Sequence, residues 1–396
     1  MKIKSNKFNF KNENGEVLSG RLELPYGQIK SFAVFAHCFT CSKNISASSR
    51  ISKKLAQLGI GVLRFDFTGL GNSDGDFENT NFSSNIADLI CAYHALKKDY
   101  KAPSILIGHS FGGAAVLKAS KELEAVKAVI TIAAPSDTKH VAHLFEDELE
   151  EINSKGEAEV CLENRKFKIK KQFIKDLSDG KILDGISETK KAYLIMHSPF
   201  DNIVSVDHAS HIFKALKHPK SFITLDTIDH LVTKPNDAEY IAEQINSWVK
   251  RYIKDDDVFE NKSEGKGVIV ESRSGSKFTH DITSHRHYLI ADEPKSMKGD
   301  DLGMSPYELL LSALGACTSM TMRLYADRKG FDLKNVKVEL KHEKNDGVDH
   351  FAKEISLFGE LSDDEKDKIL AIAKKCPVHK TLDSQVTFSS ELRSDR

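Results

Sequence analysis

The chain has 396 residues, 40% hydrophobic and 29% charged, with 57 Lys and Arg against 58 Asp and Glu. At ~150 residues per domain this length calls for two or three domains, and a formal net charge of -1 gives no global attraction for nucleic acid or an anionic membrane. Six cysteines, at 38, 41, 91, 161, 317 and 376, are too sparse and uneven for a secreted disulfide framework, so thiol chemistry is expected to be reversible or catalytic. The opening MKIKSNKFNFKNENG lacks the apolar core of a signal peptide. No apolar run approaches the ~18 residues of a membrane span, so a soluble, cytoplasmic protein is expected.

From about 17 to 252, the short runs SFAVFAH, GVLRFDF, SILIGHS, KAVITIAA, AYLIMHS and SFITLD alternate with amphipathic stretches of helical length at 44–58, 82–98, 111–123 and 238–253. That alternation predicts an α/β domain, a mostly parallel sheet covered by helices, over 1–253. A charged stretch at about 137–185 breaks the alternation and is expected to form a lid. The polar segment KDDDVFENKSEGKG, 254–267, reads as a linker. Over 268–396 the pattern changes to grouped strands, GVIVES, KFTHDIT and HYLIAD, then a helix at about 305–328, strands VKVELKHE and EISLFGEL, a helix at 363–375 and a last strand SQVTFSS. Grouped strands with two helices predict a separate α+β domain of about 130 residues.

Gly108-His109-Ser110-Phe111-Gly112 lies between the strand SILI and a helical run. A G-x-S-x-G at such a junction forces a tight turn that lifts the serine clear of the backbone, and the Phe111 N–H at the helix start can receive an oxyanion. The serine needs a histidine to take its proton and a carboxylate to orient that histidine. Asp201 follows the strand AYLIMHS and His230 follows SFITLD, so Ser110, Asp201 and His230 come in the chain order this architecture uses. Asp207 and Asp229 are rival acids. His208 with His211, and His140 with His143, have metal-like spacing without a third ligand and read as solvated helix faces. Asp66 reads as a loop brace and His109 as a packing residue, and no metal or cofactor is expected. Cys38-x-x-Cys41 is either a redox pair or two loop thiols, without thioredoxin-like surroundings.

Residues 17–253 resemble the α/β-hydrolase superfamily through this triad order and through Asp66-Phe67-Thr68-Gly69-Leu70-Gly71-Asn72-Ser73, where such enzymes carry Asp-x-Arg-Gly-x-Gly-x-Ser. The resemblance implies a second oxyanion donor at the Phe39 N–H, after the strand SFAVFA. Thr68 stands where Arg is usual, and Cys38 follows His37 where Gly is usual.

Within the second domain, ADEP at 291–294, SPYELLLSALGACTSMTMRLYA at 305–326 and CPVH at 376–379 resemble the OsmC-like family. On composition alone Cys317 and Cys376 would be structural thiols. The resemblance implies instead that Cys317 attacks an organic hydroperoxide, that Cys376 then closes a disulfide with it, and that a cellular dithiol reduces the pair. It also implies a homodimer through this domain. Tyr307, followed by Glu308, stands where the family's peroxidases carry the activating Glu, and Arg273 is the candidate for their arginine.

The chain is therefore identified with fusions of an α/β hydrolase and an OsmC-like domain. The expected substrates are small acyl esters and organic hydroperoxides. The alternative is that only one half is catalytic, with the second domain a dimerisation module or the first a binding module.

Overall fold

The computed structural model describes residues 3–25, 29–138, 143–162, 165–179, 181–253, 267–272, 276–284 and 287–392. Two compact units emerge, one within Met1–Lys266 and the other drawn from Gly267–Ser284 and Tyr288–Arg396. The expected linker, apart from Gly267, and the candidate Arg273 lie outside the described residues.

In the first unit the aliphatic runs become strands because their β-branched and aromatic side chains fill both faces of a covered sheet. The strands are β1 (Ile3–Lys7), β2 (Gly20–Pro25), β3 (Ser31–Ala36), β4 (Ile60–Phe65), β5 (Ile105–His109), β6 (Ala128–Ile132), β7 (Ala192–His197) and β8 (Lys220–Thr224). They lie in the order β1-β2-β4-β3-β5-β6-β7-β8. β1 and β2 pair antiparallel, as do β2 and β4, and every later pairing is parallel. Helices α1 (Ser46–Gln57), α2 (Phe82–Asp99), α3 (Phe111–Ala119), α4 (Asp207–Ala215) and α5 (Pro235–Val249) form the crossovers and cover both faces. On β5, Ile105 and Ile107 pack with α1 and α5 in one core, while Leu106 packs with α2 and α3 in the other. The parallel strands all end at one edge, where the loops carrying reactive side chains converge.

The segment expected to be a lid is more regular than its composition suggested. It holds a short helix (Leu149–Lys155), a hairpin (Glu157–Leu162 with Arg165–Lys170) and a second helix (Lys171–Asp179). Phe145, Ile152, Val160, Ile169 and Phe173 from this insertion are buried in the same core as α2 and α3.

A buried charge network ties the strand edge together. Lys43 pairs with Asp66, and Arg64 pairs with Glu23 at 2.7 Å, with every one of these side chains at least 95% buried. The Arg64 guanidinium also donates to the Lys43 carbonyl.

In the second unit, β9 (Val268–Ser272), β10 (His280–Ser284) and β11 (His287–Ala291) form a three-stranded sheet. Helix α6 (Pro306–Lys329) starts with a reciprocal cap between Ser305 and Glu308. It packs against a long hairpin, β12 (Asp332–Asn345) and β13 (Val348–Glu360), followed by α7 (Asp363–Ile372). Two expectations are corrected here. Pro377 does more than stop a helix: it opens a further one, α8 (Pro377–Leu382), as a proline in the first turn can, with Cys376 as its cap. The segment SQVTFSS forms no strand, because no described strand of the chain pairs with it, and Phe388 is left 91% exposed.

No described helix is long and apolar enough to cross a membrane. Removing one partner of a buried ion pair leaves the other charged and desolvated, at a cost of roughly 3–5 kcal/mol. Lys43→Met is therefore expected to lower the unfolding free energy of the first unit by about that amount in urea titrations. Lys155→Met, which opens only the exposed pair with Glu151, should change it within error, and equal effects of the two would contradict the buried clamp.

Candidate functional site

Ser110 sits where β5 turns into α3, with φ 54° and ψ −123°, a left-handed conformation that a serine adopts only under constraint. The constraint is steric. A Cβ on Gly108 would lie 2.3 Å from the Gly112 carbonyl oxygen, and one on Gly112 would lie 2.3 Å from that of Ala36. Only glycines on both sides let the helix start so close to the neighbouring strand. The Ser110 N–H donates to the Ile132 carbonyl of β6 at 2.8 Å, which locks the turn to the sheet.

His230 Nε2 lies 3.0 Å from Ser110 Oγ, and His230 Nδ1 lies 2.7 Å from Asp201 Oδ2. The other Asp201 oxygen accepts the N–H groups of Ile203 and Val204, each at 2.9 Å. Burial pushes the Asp201 carboxyl up, but the hydrogen bond and charge of His230 with these two amides outweigh it and hold the carboxyl below its ordinary value. It is thus an anion that fixes the imidazole with Nε2 toward the serine. The rival acids are engaged elsewhere. Asp229 receives the Leu231 and Thr233 N–H groups and the Thr233 hydroxyl, and Asp207 accepts from Ser205.

Phe39 and Phe111, the two residues expected to supply oxyanion amides, stand side by side with ring centroids 5.4 Å apart. The Phe39 ring also meets Phe77, Phe145 and Phe173 at 5.7, 6.0 and 5.4 Å, so the residue proposed for an oxyanion donor is also a seat for the insertion. Cys38 and Cys41, on either side of it, form a disulfide with Cα atoms 5.4 Å apart. Asp66 braces its own loop as expected, taking the Asn72 N–H at 2.9 Å, and its carboxylate also takes the Lys43 ammonium and N–H. Lys43 thus supplies a cation to Asp66, two residues before the position where Thr68 replaces arginine.

Three histidines escaped notice as part of the site, although each stands at the C-terminal end of a strand. His37 Nδ1 donates to the Cys38 carbonyl at 2.8 Å, His109 Nε2 to the His230 carbonyl at 2.6 Å, and His197 Nε2 to the Val204 carbonyl at 2.8 Å. Each therefore pins the backbone of one functional loop. Burial lowers all three from the ordinary imidazole value, His109 to about 4 with help from the His230 charge. Of the metal-like pairs, His208 bonds Ser136 at 2.9 Å with its ring 6.4 Å from that of His211, while His140 and the His143 side chain lie outside the described residues. No group of three metal-binding side chains occurs among the described residues.

In the second unit Cys317 lies half-buried on α6 and Cys376 is buried, with Cys317 among the neighbours that act on the Cys376 thiol. Cys376 Sγ also receives the His379 N–H at 3.4 Å and lies 3.5 Å from the Thr318 hydroxyl. Lys353 reaches His379 at 3.3 Å. Burial pushes the Cys376 thiol up, but Thr318, His379, Cys317 and the Lys353 charge outweigh it and draw the thiol below its ordinary value. Glu308 is committed to the helix cap, where the Ser305 N–H and hydroxyl hold its carboxyl low. Tyr307 stacks on His342 at 4.4 Å.

A family model described as serine aminopeptidase, S33 matches residues 30–156, and one described as OsmC-like protein matches residues 299–391. Among solved structures, the esterase domain of a Rhodothermus marinus protein is 44% identical with a TM-score of 0.53, over 64% of this chain and 100% of that domain. Est1E from Butyrivibrio proteoclasticus, solved with ferulic acid, is 21% identical, with a TM-score of 0.52 over 62% of this chain and 98% of its own. The α/β hydrolase GrgF from a Penicillium species is 20% identical, with a TM-score of 0.54 over 63% and 99%. These two share the fold alone. No curated protein matches the chain.

The buried histidines set a pH dependence. Below about 6.5 the unfolded chain protonates them while the folded protein does not, so stability falls as pH drops, down to about 4 for His109. The Tm of the first unit is expected to fall steadily between pH 7 and pH 4.5, and the slope should shrink in His109→Gln. A Tm profile identical in the variant would contradict this assignment.

Proposed function

Because the N-terminal part of the chain belongs to the α/β-hydrolase family and its C-terminal part carries an OsmC-like domain, we propose a two-site enzyme, a serine hydrolase of ester or related acyl bonds joined to a thiol peroxidase for organic hydroperoxides. The observation that carries the first activity is the hydrogen-bonded line from Ser110 through His230 to Asp201. His230 Nε2 takes the hydroxyl proton as Ser110 Oγ attacks the acyl carbon, and the Phe39 and Phe111 amides receive the oxyanion. His230 then returns the proton to the departing alcohol. Water activated in the same way frees the acid and regenerates Ser110. Asp201 stays ionised and balances the imidazolium.

In the second unit, Cys317 is read as the thiol that meets the hydroperoxide, being the more exposed of the two. It becomes a sulfenic acid and releases an alcohol. Cys376, favoured as thiolate by its neighbours, then expels water to form the disulfide, and a dithiol reduces it. We read this unit as a homodimer, since β9 is exposed throughout and Met320 and Leu324 of α6 are 64% and 71% exposed. A reducing cytoplasm suits this cycle. A second reading, in which this domain serves only to dimerise the hydrolase, is favoured by the engagement of Glu308 in the helix cap, away from any thiol.

A fluorophosphonate should label the wild type at Ser110, and Ser110→Ala should lose roughly 10⁴-fold or more in kcat on short-chain p-nitrophenyl esters. A wild type that neither labels nor hydrolyses any of them would sink the hydrolase. For the thiols, cumene hydroperoxide consumption with a dithiol should vanish in Cys317→Ser, and Cys376→Ser should leave a sulfenic acid on Cys317 that dimedone traps. Unchanged turnover in Cys317→Ser would leave the domain its dimerising role alone.

A further inference from the structure

We propose that the Cys38–Cys41 disulfide positions the oxyanion loop, so that the oxidised hydrolase turns over and a dithiol slows it reversibly. The proposal rests on the serine-hydrolase reading of Ser110.

The bridge spans only two residues, and both are critical. Phe39 supplies the proposed oxyanion amide. Thr40, next to it, is held at φ 57°, a left-handed conformation costly for a β-branched side chain. Around Thr40 the loop is held at several points. His37 Nδ1 donates to the Cys38 carbonyl at 2.8 Å, and the Cys41 N–H donates to the same carbonyl at 3.3 Å. The Thr40 hydroxyl donates to the Phe39 carbonyl at 2.7 Å, and Arg165, from the hairpin of the insertion, donates to the Thr40 carbonyl. The Lys43 and Asp66 clamp fixes the chain only from residue 43 onward. The disulfide is thus the one covalent restraint across Phe39 and Thr40. Once it opens, Thr40 can relax toward negative φ, which rotates the Phe39–Thr40 stretch and unseats the Phe39 ring from Phe145 and Phe173 of the insertion.

The chemistry balances without a metal. A dithiol gives two electrons and two protons to the Cys38–Cys41 bond, yielding two thiols and an oxidised dithiol. In the reverse direction one thiolate attacks the terminal oxygen of an organic hydroperoxide, releasing an alcohol and forming a sulfenic acid, which the second thiol converts to the disulfide with loss of water. Peroxide, the proposed substrate of the second unit, would then switch the first unit on. Cys38 and Cys41 are 5% and 4% exposed, so exchange is expected to be slow until the insertion lifts from the loop.

The test uses the full chain, first oxidised, then incubated with dithiothreitol, with hydrolysis of p-nitrophenyl acetate as readout. Alkylation and peptide mass mapping of aliquots report the Cys38–Cys41 bond. Loss of an oxyanion donor lowers kcat by about 10²–10³-fold, and a displaced one should lower it by about 10- to 100-fold, with KM changed less than about twofold. Cumene hydroperoxide should restore kcat once the dithiol is removed. A Cys38→Ala/Cys41→Ala variant should be slow with or without reductant, and its melting curve reports whether it folds; if it does not, the wild-type arms decide. Unchanged kcat in enzyme whose bridge has opened overturns the proposal, as does a bridge that withstands the dithiol in the folded enzyme. An oxidised wild type without hydrolysis or fluorophosphonate labelling would fail the serine reading itself, a distinct result.

Discussion

The first unit depends on one steric constraint, the turn in which β5 becomes α3 within a single residue. With Ser110 at positive φ, the helix begins against the carbonyls of β3, and the space left at Gly108 and Gly112 is too small for any side chain. The turn fixes three things together. Ser110 Oγ stands proud of the sheet, the Phe111 amide lies at the start of a helix where N–H groups are unpaired and attract anions, and the Phe111 ring is set against Phe39. Strain of this kind persists only where the surroundings over-determine it. Here the Ser110 N–H is bonded to β6 and α3 is almost wholly buried.

The remaining machinery is held by carbonyl-to-histidine bonds and by buried charge. His37, His109 and His197 each give one N–H to a backbone carbonyl in a different loop. Because each stays neutral, it can be buried without the desolvation cost an imidazolium would carry. The charged clamp of Lys43 with Asp66 and Arg64 with Glu23 works in the opposite manner, with both partners ionised and shielded together. Asp66 joins two loops, since it binds Lys43 on one side and the Asn72 amide on the other.

The parts of this molecule that are legible in its sequence are those whose signal is local. Alternation of aliphatic runs with amphipathic stretches marks the covered sheet, and Ser110, Asp201 and His230 are visible because each follows a strand and the strands end at one edge. What stays hidden depends on pairing across the chain. The insertion reads as a charged stretch, yet its alternate residues Ala158, Val160 and Ile169 turn inward only because a hairpin brings them together. The buried histidines look like ordinary packing until their carbonyl partners are known. Pro377 carries an ambiguous signal, since proline both stops a helix and starts one; the Cys376 sulfur accepting the His379 amide decides between them. The segment SQVTFSS has the composition of a strand, but a strand exists only with a neighbour, and the described residues supply none.

The two sites treat negative charge differently, and this follows from where their reactive atoms sit. Ser110 is neutral at rest; in the proposed hydrolysis the surrounding dipoles would meet charge that appears only during reaction, so loop geometry, including the span from Cys38 to Cys41, would matter more to its rate than any resting charge. Burial pushes the Cys376 thiol up, but the Thr318 hydroxyl, the His379 amide, the neighbouring Cys317 thiol and the Lys353 charge draw it below its ordinary value at rest. Part of that pull comes from the hairpin, since Lys353 lies on β13. Covalent and buried ionic restraint thus flank the loop that meets Phe111 in the first unit, whereas the thiol pair of the second rests on a helix and a short cap.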